Sequence, residues 1–191
     1  MPVQGEFFQN PGGASNFYDY QISQSLRSDS ISDYLDSPTW SAGASERYTI
    51  SAWVKRGDLG RYQSFLGDSA GNWGIGFNAS DNIHIGSHTL VTTSGVFRDT
   101  TGWYHIGAVF TGDSMLVYIN GELDPNIVVF ENEGSVNDYN NSVWHIADVL
   151  GGSGRLSGKM SELSLWSKKL NQGDITTYYG ATPSSDASGL L

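Results

Sequence analysis

Gly102-Trp-Tyr-His-Ile-Gly-Ala-Val-Phe110, then Thr111-Gly-Asp-Ser114, then Met115-Leu-Val-Tyr-Ile-Asn-Gly-Glu122 is the stretch that decides the fold of this chain. Two runs rich in β-branched and aromatic residues, Trp103 to Phe110 and Met115 to Ile119, flank a short Gly-containing turn. That is the signature of an antiparallel hairpin. Asn120-Gly121 then turns the chain again through residues that tolerate positive φ. Upstream, Tyr48-Thr-Ile-Ser-Ala-Trp-Val-Lys55 alternates with period two. Tyr48, Ile50, Ala52 and Val54 fall on one face, and Thr49, Ser51, Trp53 and Lys55 on the other.

Shorter signals of the same kind surround these strands. Tyr20, Ile22, Gln24 and Leu26 alternate with polar residues, and Tyr34-Leu35 and Gln63 to Gly67 are brief. Trp73, Ile75 and Phe77 share a phase, Ile83 and Ile85 flank His84, and Thr89 to Thr92, Ile127 to Phe130, Val143 to Ala147 and Met160 to Trp166 follow. Asn171 to Tyr179 suits a short helix. About twelve short strands at close spacing predict an all-β, two-sheet antiparallel β-sandwich, a jelly roll. Composition agrees. The 191 residues include 24 Gly and are 38% apolar, with six Trp, ten Tyr and eight Phe. Such a chain can bury a core but is poor in helix formers. The expected organisation is an extended N-terminal arm over 1–19, a sandwich over 20–180 and a small, polar C-terminal tail over 181–191, a surface strap or loose end. The arm carries Phe7, Phe8, Phe17 and Tyr18, which must pack on this domain or on a neighbour.

The formal net charge is −10. That sign opposes phosphate backbones, so no nucleic-acid partner is expected. It also opposes anionic membranes and sulfated glycans unless a cation intervenes. There is no cysteine, so neither disulfides nor thiolate metal sites support the fold. Met1 to Asn10 has no basic and apolar leader pattern, and no signal peptide and no membrane span are expected.

Three segments, in order, resemble the laminin-G-like (concanavalin-A-like, pentraxin-like) family: Tyr48 to Lys55, the hairpin from Gly102 to Glu122, and Leu156-Ser-Gly-Lys-Met-Ser-Glu-Leu-Ser-Leu-Trp166 with Leu170-Asn-Gln-Gly-Asp-Ile175. The resemblance spans residues 20 to 180 and implies the sandwich fold. Its ligand is left open. Some members of the wider superfamily are glycanases with Glu-x-Asp-x-x-Glu on one strand. Here Glu122-Leu-Asp124 begins that pattern, but Pro125-Asn-Ile127 follows, and Glu131 and Glu133 come too late. A non-enzymatic protein is therefore expected. His84, His88, His105 and His145 form no catalytic arrangement and are read as packed, hydrogen-bonded side chains.

Calcium is the cofactor the oxygen-rich turns would suit, with Asp68, Asp113, Asp138 and Asp148 as ligands. The alternative is that these are solvated turn formers. Glycan binding calls for exposed rings beside amides or carboxylates. Tyr62, Trp73, Tyr139 and Trp144 with Asn72 and Asn140 could supply it, against a core role for both tryptophans. Stand-alone laminin-G-like chains without leader or cysteine resemble structural proteins of tailed bacteriophages: capsid decorations, head fibres or tail-fibre parts. The resemblance thus implies a virion component assembled in the host cytoplasm. It would associate with itself and other capsid or tail proteins, and adhere to surface glycans. The alternatives are a free carbohydrate-binding module and, third, a glycanase.

Overall fold

The computed structural model describes residues 25–37, 47–69, 74–86, 91–111, 114–129, 143–148, 154–181, 183, 184, 187, 188 and 190. The arm and the strand expected from Tyr20 fall outside them. Two antiparallel sheets face each other. One, six-stranded, runs in the order β1 (Leu26–Asp29), β13 (Ser157–Trp166), β3 (Thr49–Arg56), β8 (Tyr104–Phe110), β9 (Met115–Ile119) and β10 (Glu122–Leu123). The other, seven-stranded, runs β11 (Ile127–Val129), β7 (Val91–Thr93), β6 (Ile83–Ile85), β5 (Gly74–Phe77), β4 (Gln63–Asp68), β12 (Trp144–Ile146) and β2 (Leu35–Asp36). This is the β-sandwich the alternation predicted. No helix among the described residues is long and apolar enough to cross a membrane.

The hairpin forms as read, with Phe110 opposite Met115 and Ile106 opposite Ile119. Asn120 (φ 52°) and Gly121 (φ 84°) make the left-handed turn into β10. Inward, Ile50, Ala52 and Val54 of β3 join Ile106, Ala108 and Phe110 of β8. Across the gap they meet Phe65, Leu66, Ile75, Phe77, Ile83 and Ile85 of the other sheet. Gly158 (φ 147°) lets β13 press on β3, because a Cβ there would fall on the Lys55 carbonyl oxygen.

The outer side of the six-stranded sheet is covered as well as its inner one. Helix α1 (Gln172–Tyr179) is started by a capping box in which the Asn171 side chain accepts the Asp174 N–H and the Asp174 carboxylate accepts the Asn171 N–H. The helix buries Ile175 among Val109, Tyr118, Trp166 and Leu170. Tyr179 stacks on Trp53 at 5.3 Å and Tyr178 on Trp166 at 5.1 Å. Leu190 packs on the same cluster and bridges to Trp166. Thr49, polar in the sequence pattern, is buried because its hydroxyl donates to the Lys168 carbonyl and accepts the Leu170 N–H.

A buried ionic group joins the loops at one end. The Arg56 guanidinium, with no side-chain exposure, donates to Asp81 at 3.0 Å and to the Phe97 carbonyl, and lies 4.3 Å from the Phe77 ring centroid. Asp81 also accepts from Arg98 at 2.8 Å and from the Gly60 N–H at 2.7 Å.

Candidate functional site

The two most exposed aromatic side chains among the described residues, Tyr34 and Tyr62, stand at the ends of the outer side of the seven-stranded sheet. Alternation sets up that side. Ile75 and Phe77, Ile83 and Ile85, and Trp144 and Ile146 turn inward, so their intervening neighbours turn outward. In register these form two rows: Asp36–His145–Gly67–Gly74, and Ser64–Gly76–His84–Thr92. The three glycines carry no side chain, so what rises above this face stands at its ends and on flanking loops.

At one end Tyr62, 52% exposed, leans edge-on against the His84 ring at 5.4 Å. At the other, Tyr34, 41% exposed, tilts against His145 at 5.0 Å, and the Arg155 guanidinium carbon lies 5.4 Å from its ring centroid. His145 Nε2 is 3.4 Å from the half-exposed Asp36 carboxylate. Arg155 Nε is 3.2 Å from Asp148, and its terminal nitrogen donates to the Ile31 carbonyl. Arg61, beside Tyr62, donates to the Arg155 carbonyl and, at 3.5 Å, to the Ser30 hydroxyl, tying the two ends together. Three inter-strand steps and a two-residue offset separate His84 from His145. This is about 16 Å, the span of a few sugar rings.

Each tyrosine is thus braced by a histidine. His84 is buried, and its Nε2 has no hydrogen-bond partner among the described residues. Burial lowers its pKa to about 4, as it does for His105 beneath Trp53 and Tyr179. Both rings are neutral in the fold. A lowered folded pKa means the unfolded chain takes up protons first, so stability is fully present above pH 6.5 and drains as pH falls toward 4. Urea unfolding at pH 7.5, 6 and 5 should show a falling midpoint. An unchanged midpoint would contradict the buried neutral rings.

Of the residues proposed from sequence, Tyr62 stands on this face. Trp144 does not. It is 2% exposed in the core, because its place on β12 points inward and leaves no ring face for a sugar. The proposed calcium ligands divide. Asp68 is buried at the end of β4, and Asp148 is wholly buried with its charge met by Arg155, which weakens the case for a cation there. Among the described residues no three His, Asp or Glu side chains gather as a metal site. Asn72, Trp73, Asp113, Asp138, Tyr139 and Asn140 lie outside the described residues, as do Phe7, Phe8, Phe17 and Tyr18 of the arm. Tyr34, His84, His145 and Arg155 were not singled out as a site from sequence. An exposed Tyr in the Ser/Asp-rich stretch 28–36 was the signal available.

A search of curated proteins finds no significant match. Among solved structures, a Bacteroides ovatus protein provisionally described as carbohydrate-binding superposes with a TM-score of 0.65 at 18% identity, over 84% of this chain and 48% of its own. The chain therefore spans about half of that protein. Domain 4 of an extracellular arabinanase from Geobacillus stearothermophilus, solved with arabinotriose, gives 0.64 at 20% identity over 88% of this chain and 82% of its own. A heptameric pentraxin from Limulus polyphemus gives 0.55 at 15% identity, over 77% and 79%. At these identities the likeness is one of fold. The sequence itself matches a laminin G family profile, described as the Concanavalin A-like lectin/glucanases superfamily, over residues 29–176. On that match the chain belongs to the concanavalin A-like lectin/glucanases superfamily.

Proposed function

We propose that this chain is a non-enzymatic glycan-binding module whose sugar lies along the outer face of the seven-stranded sheet. The observation that carries the reading is the pair of half-exposed tyrosines, Tyr34 and Tyr62, packed on His145 and His84 at the two ends of one sheet face. A sugar ring stacks its C–H face on such a side chain, while Asp36 and Arg61 at the margins accept and donate hydrogen bonds to hydroxyls. The fold shared with a protein provisionally described as carbohydrate-binding and with an arabinanase domain solved with arabinotriose supports the class of ligand. The non-enzymatic part rests on Glu122 and Asp124. Glu122 sits exposed on the edge strand β10, and Asp124 caps its own turn by accepting the Asn126 N–H, an arrangement for a turn rather than a catalytic pair. Tyr62→Ala should weaken binding of the best oligosaccharide in a neutral panel about tenfold, near 1.4 kcal/mol, with stability little changed. Calorimetric titration measures it, and undiminished affinity would remove Tyr62 from the site.

A second reading is a structural role in a bacteriophage particle, with the arm of one copy seated on another. It is favoured by an apolar groove of about 390 Å³ where the described chain begins, lined by Leu26, Leu35, Ile146, Met160 and Leu163. Light scattering tests it. A discrete oligomer that becomes monomeric when residues 1–19 are deleted supports the reading, and a full-length monomer sets it aside.

A further inference from the structure

Three cations stand side by side on the outer face of the six-stranded sheet. Arg27 of β1 is opposite Lys159 of β13, and Lys159 is opposite Lys55 of β3. Their neighbours Leu26, Met160 and Val54 belong to or pack on the core, so all three side chains leave on the same outer side. The row lies just beyond Trp53 and Ser161, past the patch the helix covers. It borders a groove of about 380 Å³ that Ser28, Gly57 and Ser157 also line.

This arrangement needs explaining in a chain of net charge −10 with only ten Lys and Arg. Like charges directly opposite each other across strands destabilise a sheet. Four of the seven other cations are met by carboxylates: Arg56 and Arg98 by Asp81, Arg61 by Asp58, and Arg155 by Asp148. Among the described residues no carboxylate comes within ion-pair distance of Arg27, Lys159 or Lys55. Lys55 is steered by the Thr101 carbonyl, to which its ammonium donates at 2.8 Å. Asp29 is close by, but its carboxylate accepts the Ile31 and Ser32 N–H groups, which hold its pKa below the usual range. It serves its own turn. The Asp99 carboxylate also feels Lys55, but it is held by the Thr101 N–H and hydroxyl, so the row is only partly offset from within, and a local rule so broken marks a place where an outside group completes the structure.

We infer that the row Arg27–Lys159–Lys55 binds an oxyanion carried on a sugar, a sulfate ester or a carboxylate. Adjacent strands space the three charges over about 10 Å, the length of roughly two sugar units. The Ser157 hydroxyl in the same groove suits a neutral partner beside the charge. The surrounding negative surface opposes an extended polyanion such as nucleic acid, which favours a ligand charged at one or two points. The global charge thus argues against acidic glycans in general, and this row supplies one local exception. The site lies on the sheet opposite the tyrosines, so it stands or falls separately from the neutral-glycan reading.

The full chain is titrated at fixed ionic strength with a sulfated heparin hexasaccharide, its desulfated and carboxyl-reduced counterpart, oligogalacturonate and inorganic sulfate. Saturable binding of the sulfated or carboxylated sugar, tighter than inorganic sulfate and absent for the uncharged form, is expected. Lys159→Gln should weaken it about fivefold and Lys55→Gln similarly. Lys168→Gln should leave it unchanged. Lys159→Gln should also melt no lower than the parent without ligand, since a like-charge contact is relieved. Equal binding by parent and Lys159→Gln, no saturation with either charged sugar, or inorganic sulfate binding as tightly as the sugars would overturn the assignment.

Discussion

Asp81→Asn should lower the unfolding free energy by about 3–5 kcal/mol, a large part of what holds a domain of this size together. The variant keeps the shape of the side chain and its tolerance of the left-handed backbone at this position (φ 66°). What it removes is the charge facing the Arg56 guanidinium, which has no exposure and sits against Phe77. A buried cation without its partner costs far more than the pair contributes when intact. For the same reason Arg56→Met on top of Asp81→Asn should recover most of the loss, since neither member then leaves a charge stranded. The same group sets the acid limit. Burial alone would raise the Asp81 pKa, but the Gly60 N–H and the two guanidiniums outweigh it and bring it to about 2. Its contribution is complete above pH 3.8 and is lost as pH falls through 2. Denaturant titrations of both variants at pH 7 and pH 3 check the account. An Asp81→Asn chain as stable as the parent would contradict it.

Trp166→Ala is expected to cost about 3–5 kcal/mol as well, by a different route. Its indole is fully buried outside the inter-sheet core, stacked on Tyr178 in a cluster with Val109 of β8, Tyr118 of β9, Leu170 and Ile175. Removing it should loosen α1 and the packing of Leu190, and raise amide exchange over 172–190. The seven-stranded face lies on the other side of the core, so glycan affinity of the folded fraction should be unchanged. Hydrogen exchange and calorimetry separate the two effects. Loss of affinity without loss of stability would place the site on the wrong sheet.

These two groups mark where sequence reading stopped. The hairpin from Tyr104 to Ile119, strand β3 and the helix after Asn171 were legible because period-two alternation, a turn pair and a capping residue are local signals. The second buried face was not. Thr49, Ser51 and Trp53 alternate with the core residues, and the elements that cover them come more than a hundred residues later. Asp81, in Asn78-Ala-Ser-Asp-Asn82, looks like one more turn former. Its partnership with Arg56 exists only once β3, β4 and β5 are assembled. Within the candidate site Tyr62 was legible as an aromatic in a turn region. Its brace His84 and the Tyr34–His145–Arg155 cluster join residues far apart in the chain. The cation row has the same character, since Arg27, Lys55 and Lys159 become neighbours through strand register alone.

An amide NMR titration of the full chain with the neutral oligosaccharide it binds best tests the glycan site itself. Shifts should concentrate at Tyr34, Tyr62, Gly74, Gly76, His84 and His145, with Gln172 to Tyr179 unmoved and no new reducing ends released. Shifts confined to the helix side, or cleavage of the sugar during the titration, would contradict a non-enzymatic glycan site on the seven-stranded face.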